Sequence, residues 1–286
     1  MKLGAQLYTV REFCQNETDL ARTLETIASI GYQTVQISGV SQEIPAQTIR
    51  RLCDTNGLEI VVSHTAPQRL LNQIDQVIED HQVFGAKYIG LDMMPFDYLG
   101  VESRDGHHHP VRVATRQDTQ RFIQDFSPAI EQIASAGMTF LYHNHHFEFA
   151  RQDGESIFEQ LVAGFDPRQV GFLIDTFWIQ FGGGDVVAWL EKLAGRIPVV
   201  HFKDLGIYHK LDLQTPTGGG LEFSSPIGFQ QIMTPVGSGN LDFERITAAC
   251  KAAGTKHVLV EQDICQGDPL EALRQSFIYL SQLDLA

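Results

Sequence analysis

Five short segments of the chain share one form: a glycine, two residues, then a short apolar run. They are GYQTVQIS from Gly31, GLEIVVSH from Gly57, GAKYIGLD from Gly85, GMTFLYHN from Gly137 and GTKHVLVE from Gly254. Helical spacing of apolar residues precedes these glycines, as with Leu20, Leu24, Ile27 and Ile30 before Gly31, or Phe122, Phe126, Ile130 and Ile133 before Gly137. Such spacing puts the apolar side chains on one helix face. Glycine just beyond that face ends the helix, because it takes the left-handed conformation at little cost. The runs that follow are continuously apolar, as strands covered on both faces of a parallel sheet are.

Three further runs fit without the glycine: LGAQLY at 3–8, VGFLID at 170–175 and PVVHFKD at 198–204. Helices are expected at 18–30, 46–56, 67–84, 116–136, 155–164, 185–194, 242–253 and 268–282. Eight strands alternating with eight helices predict an α/β chain folded as a (β/α)8 TIM barrel, with residues 1–286 as a single domain. An open doubly wound sheet is the competing architecture. It usually has fewer units and often a glycine-rich phosphate turn, yet no GxGxxG or GxxxxGK[ST] follows a predicted strand. The glycines of TGGGLEF at 217–223 fall in a loop. Two long connections, 94–115 and 205–240, follow strands and so belong to the C-terminal face, where barrel active sites sit. Loops of that length tend to be lids or binding loops, and closure of 205–240 over a substrate is expected.

Composition narrows the function. The formal charge of −14 argues against a phosphate backbone as partner, which requires clustered Lys and Arg. No apolar stretch approaches the ~18 residues of a membrane helix. The N-terminal MKLGAQLYTVRE becomes charged too soon for a signal peptide. Cys14, Cys53, Cys250 and Cys265 are scattered, with no CxxC, and read as reduced thiols of a cytoplasmic protein.

Ionisable residues gather where the strands end. Strand 3 ends in Ser63-His64 and strand 4 in Asp92; strand 5 ends in His143-Asn144-His145, with Glu148 just beyond. Strand 6 ends in Asp175, strand 7 carries His201, Lys203 and Asp204, and strand 8 ends in Glu261 and Asp263. A single Asp in such a place is most often the N-cap of the next helix. Polar residues on four consecutive strand ends instead suggest a divalent ion (Mn²⁺, Mg²⁺, Zn²⁺, Co²⁺ or Fe²⁺) with mixed His and carboxylate ligands. Such an ion serves proton abstraction beside a carbonyl and steadies the enediolate that forms. Lys203 adds positive charge for a substrate oxygen, or is an ion-paired residue of the rim. Because side chains alternate along a strand, His143 and His145 both reach the mouth only if the strand ends by Asn144. The triplet His107, His108 and His109 reads as a solvated loop tip.

Taken together, LGAQLYTVR, YHNHHFEF, LIDTFW, VHFKD, PVGSGNLDF and VEQD resemble the sugar phosphate isomerase/epimerase superfamily with the xylose isomerase-like TIM barrel. That group includes ketose 3-epimerases, inosose isomerases and dehydratases, and the endonuclease IV type of repair enzyme. The resemblance covers nearly the whole chain. It implies one divalent ion (Mn, Mg, Zn or Co), held by Asp175, His201, Glu261 and a strand-5 residue. The epimerases have a glutamate on strand 5 that opposes the strand-8 glutamate. Here that stretch is histidine-rich, and either Glu148 folds back to the ion or a histidine replaces it.

The expected function is metal-dependent isomerisation or epimerisation of a sugar or cyclitol. His143, His145, Glu261 and Lys203 are the candidate catalytic residues, and His64, Asp92, Lys203 and Asp263 are expected to contact substrate. A keto-sugar dehydratase or lyase is the alternative, and an endonuclease IV-type enzyme, needing three zinc ions and a basic groove, fits less well. The expected partner is a small-molecule sugar, with neither nucleic acid nor membrane. Relatives of this type often form homo-oligomers, and no interface signal stands out in the sequence.

Overall fold

Each of the eight apolar runs forms a strand, and the eight close into a single parallel barrel. The computed structural model describes residues 1–104, 107–110, 112–206 and 233–285. We label the barrel strands β1 (Lys2–Gln6), β2 (Thr34–Ile37), β3 (Glu59–Thr65), β4 (Tyr88–Leu91), β5 (Thr139–His143), β6 (Val170–Asp175), β7 (Val199–Phe202) and β8 (His257–Val260). Neighbours in the ring are neighbours in sequence, and β1 closes on β8 through Leu3↔Val258 and Gly4↔Leu259.

Outer helices Glu17–Ile30, Ala46–Thr55, Arg116–Ser135, Ile157–Gly164, Val186–Lys192, Phe243–Ala253 and Pro269–Leu280 stand where the spacing predicts. The stretch 67–84 departs from a single helix. It divides into Pro67–Asn72 and Ile74–Phe84 at Gln73, whose φ of −141° is not helical. The repeat glycines Gly31, Gly57, Gly85, Gly137 and Gly254 all have positive φ, from +66° to +119°, as helix stops require.

Side-chain alternation sorts each strand into an outward and an inward set. Outward residues such as Tyr142, Phe172, Ile174, Phe202 and Val258 pack with the helices into the large core. Inside the barrel, Val62, Leu141, Leu173, Val199 and Leu259 form a smaller apolar layer. A Cβ on Gly4 would lie 2.7 Å from a Leu259 methyl and 2.1 Å from Thr34 Oγ1, so glycine is what lets that layer close. The β2–β3 register slips between Val35 and Gln36. A slip of one residue moves side chains to the opposite face, so Val62 and then His64 follow Gln36 on the inner face. The inward set one step nearer the C-terminal ends is polar: Gln6, Gln36, His64, His143, Asp175, His201 and Glu261.

Among the described residues, three short antiparallel ribbons follow strands on this face: Val101–Arg104 with His107–Pro110 after β4, Arg151–Gln152 with Glu155–Ser156 after β5, and Asp204–Leu205 with Met233–Thr234 after β7. The histidine triplet is therefore on a ribbon strand and not in a bare loop tip. Of the expected lid at 205–240, residues 207–232 lie outside the described residues. Asp204 anchors the return of that connection by accepting from the N–H groups of Gly237, Gly239 and Leu241. All four cysteines are free thiols. Among the described residues, no helix is long and apolar enough to cross a membrane.

Candidate active site

Four strand ends bring four side chains to one point. His143 is the last residue of β5, and Asp175, the last of β6, stands in register with His201 of β7. Glu261 follows β8 directly. One donor atom from each lies within 4.8 Å of those of the other three, and all four residues are buried.

The surroundings orient each group. Asp175 divides its carboxylate: Oδ1 accepts from Trp178 N at 3.0 Å, capping the short helix Thr176–Phe181, and Oδ2 is left for the barrel mouth. Helix capping and site function thus share one side chain. Asn144 Oδ1 accepts from Asp175 N and ties the ends of β5 and β6 together. His143 Nδ1–H donates to Leu173 O at 3.3 Å, which leaves Nε2 as its lone pair. His201 Nε2–H donates to Gln36 Oε1 at 2.7 Å, which leaves Nδ1. A ligating imidazole is commonly held in this way through its other nitrogen.

The arrangement fits a divalent cation. His201 Nδ1 lies 2.9 Å from Glu261 Oε2 and 3.8 Å from Asp175 Oδ2, and all three atoms are buried. Buried lone pairs crowded together are costly unless a cation or proton lies between them. An octahedron with bonds of about 2.1 Å has edges of roughly 3 Å, which matches the closest pair. Charge gives the same answer. Lys203 Nζ lies 3.0 Å from Asp175 Oδ2, 3.0 Å from Glu261 Oε2 and 2.8 Å from Asp263 Oδ1, so one ammonium faces three carboxylates. A divalent ion would balance the remaining two charges. Its ligands would be His143, Asp175, His201 and Glu261, a nitrogen and oxygen set suited to Mn²⁺, Co²⁺, Fe²⁺ or Zn²⁺.

Titration follows the same geometry. Burial alone would lower Lys203, but Asp175, Asp263 and Glu261 outweigh it and hold the ammonium well above the usual range. Burial would raise Glu261, but Lys203 and His201 hold its carboxyl well below its ordinary value. Burial pushes Asp263 up to about 6, against the pull of Lys203. His64, His143 and His145 are all lowered chiefly by burial, His64 to about 3.

Glu148 does not join the cluster. It is fully buried, accepting from Tyr142 Oη at 2.7 Å and from His145 N at 3.0 Å. Tyr142 belongs to the outward set of β5, so the carboxylate is held on the helix side of the strand. Burial pushes it up to about 7. The expectation that Glu148 could fold back to the ion is corrected on this geometry, and His143 is the strand-5 residue in the group. The strand does end at His143, so both His143 and His145 line the mouth. His145 stacks on Phe147 with ring centroids 5.3 Å apart, and its Nδ1 has no hydrogen-bond partner among the described residues. His146 stacks on Trp178, away from the cavity lining.

A cavity of about 720 Å³ opens beside the cluster, and His64, Asp92, His143, His145, Lys203, Glu261 and Asp263 are in its wall. Asp92 is pushed up to about 6 by burial. Expected residues thus come together, apart from Glu148. Gln6, Gln36 and Asn144 were missed. Their signal was a polar residue interrupting an otherwise apolar run, in LGAQLY and TVQIS above all.

Comparison with known proteins agrees with the fold. Inosose dehydratase of Lactiplantibacillus plantarum is 32% identical over 155 residues, 53% of this chain and 50% of that protein, so the chain spans half of that relative's length. Rhizopine catabolism protein MocC of Rhizobium meliloti is 25% identical over 282 residues, 94% of this chain and 83% of that protein. A sugar phosphate isomerase/epimerase from Parabacteroides distasonis superposes with a TM-score of 0.75 at 21% identity, over 99% of both chains. The family model described as xylose isomerase-like TIM barrel matches residues 24–283. With the closed barrel and that match over most of its length, the chain belongs to the xylose isomerase-like TIM barrel family.

Proposed function

We propose that this chain is a divalent-metal-dependent enzyme that removes a proton beside the carbonyl of a keto-sugar or cyclitol and then eliminates water. The observation that carries this reading is the convergence of His143, Asp175, His201 and Glu261 at the wall of a polar cavity. When bound, a divalent ion would polarise the substrate carbonyl and make the neighbouring C–H more acidic. In this reading His145, whose side chain helps line the cavity, takes the proton. Lys203 Nζ, held among three carboxylates, places positive charge beside the oxygen where negative charge develops. Asp92 and Asp263 supply acceptors for substrate hydroxyls.

Dehydration is preferred to epimerisation for a specific reason. Epimerising by a pair of opposed glutamates needs a strand-5 carboxylate at the site, and Glu148 is held away on Tyr142. The similarity to an inosose dehydratase supports the same choice. Isomerisation or epimerisation is the second reading, favoured by the overall likeness to a sugar phosphate isomerase/epimerase. The test is incubation of the Mn²⁺-loaded protein with cyclitol ketones and ketohexoses in deuterated water. A product lacking one water supports dehydration, and a deuterated epimer of unchanged composition supports the second reading. Absence of both product and carbon-bound deuterium across the panel would sink both.

A further inference from the structure

Among the described residues, two groups of side chains could hold a metal. One is the set already described, and the other is His64, His143 and His201. The hydrogen bonds around His64 separate them.

Gln6 Oε1 accepts from the backbone N–H of Tyr8 at 3.0 Å. That bond fixes the orientation of the amide, because only the oxygen can accept. Gln6 Nε2 is therefore the atom facing His64 Nδ1, at 3.4 Å, and it can only donate. Ser38 Oγ approaches the same Nδ1 at 3.5 Å and is free to donate as well. A nitrogen that receives donors carries a lone pair and no proton. The single proton of the imidazole is then on Nε2, which has no partner among the described residues. His64 lines the cavity, and its ring centroid is 4.7 Å from that of His143.

We infer that Gln6 holds His64 as its Nε2–H tautomer, making His64 a hydrogen-bond donor to a substrate oxygen and not a metal ligand. The Nδ1 lone pair is taken by Gln6 and Ser38 and the protonated Nε2 has none, so neither nitrogen is open to an ion and the three-histidine group does not form a metal site. Gln6 is a positioning residue that acts through His64. The substrate part of this inference rests on the proposed function; the tautomer stands without it.

Imidazole nitrogen NMR of the full chain decides the tautomer directly, with the His64 signals assigned by their loss in His64→Leu. The expected result is a protonated Nε2 and an unprotonated Nδ1. Gln6→Glu offers acceptors to both Tyr8 N and His64 Nδ1. It is expected to move the proton to Nδ1 and to lower kcat by about 10²-fold, the order of one lost transition-state donor, with metal content unchanged. His64→Gln, which keeps a donor, should retain more kcat than His64→Leu, and both should keep the ion. A proton on Nδ1 in the unmodified chain, or loss of the ion in His64→Leu, would overturn the inference. NMR of the unmodified chain and the metal content of His64→Leu test the tautomer even if Gln6→Glu does not fold. A chain with Nε2–H on His64 that turns over no ketone would refute the proposed function while upholding the tautomer.

Discussion

His201 Nδ1 and Glu261 Oε2 stand 2.9 Å apart inside the protein. A proton and a metal ion compete for that gap. Burial alone would lower His201, but Glu261 and Asp175 raise its pKa above 6.5 in the ion-free chain. A group raised on folding stabilises the protein below its unfolded pKa, and that contribution is lost as pH rises through the folded value. The ion-free chain should therefore lose this contribution above about pH 6.5, while the ion, which needs a deprotonated ligand, gains affinity over the same range. The difference in melting temperature between Mn²⁺-loaded and chelated protein should widen from about pH 6 to about pH 8. A difference that is constant or narrows would contradict this account.

His143, and not Glu148, stands with Asp175, His201 and Glu261, and substitution tests which of the two holds the ion. Glu148→Gln should keep full metal content, since the side chain faces Tyr142 and the His145 amide. Glu148→Ala should cost about 1–3 kcal/mol in stability through the unpaired groups it leaves. His143→Leu should lose the ion while remaining folded. Elemental analysis and denaturant unfolding of the three variants provide the check, and loss of metal in Glu148→Gln would restore the glutamate as ligand.

Among the described residues, Lys203 is the one ammonium paired with Asp175, Glu261 and Asp263. Removing one partner of a buried ion cluster commonly costs about 3–5 kcal/mol, because the remaining charges stay buried. Lys203→Met should show that loss in chelator and recover much of it when Mn²⁺ is added. Equal destabilisation with and without the ion would place Lys203 outside the ion's influence.

The proposed function gives proton transfer to His145, which does not belong to the four-residue group. His145→Gln should lower kcat by about 10²–10⁴-fold with the ion retained, the usual range for general acid–base catalysis. Near wild-type kcat would make this imidazole structural and leave proton transfer to a carboxylate.

The barrel was legible because its strands are buried on both faces and its helices stop at glycine. Both are local features, and Gly31, Gly85 and Gly254 carry the left-handed turns that the repeat predicts. Asp175, His201 and Glu261 were legible as polar ends of apolar strands. What the sequence could not show is the side of the strand to which a loop residue returns. Glu148 follows His143 by only five residues, yet Tyr142, one position earlier on the opposite face, captures it. Gln6 and Gln36 looked like interruptions in apolar runs, and their meaning appears only when the barrel closes and Gln36 meets His201. The break at Gln73 carries no glycine or proline signal of its own.

The proposed site holds a single divalent ion on His143, Asp175, His201 and Glu261. Calorimetric titration of chelator-stripped protein with Mn²⁺, repeated on Asp175→Asn and His143→Leu, tests it most directly. One ion per chain is expected in the unmodified protein and none bound with comparable affinity in either variant. No uptake by the unmodified chain, or uptake of one ion undiminished in both variants, would contradict it.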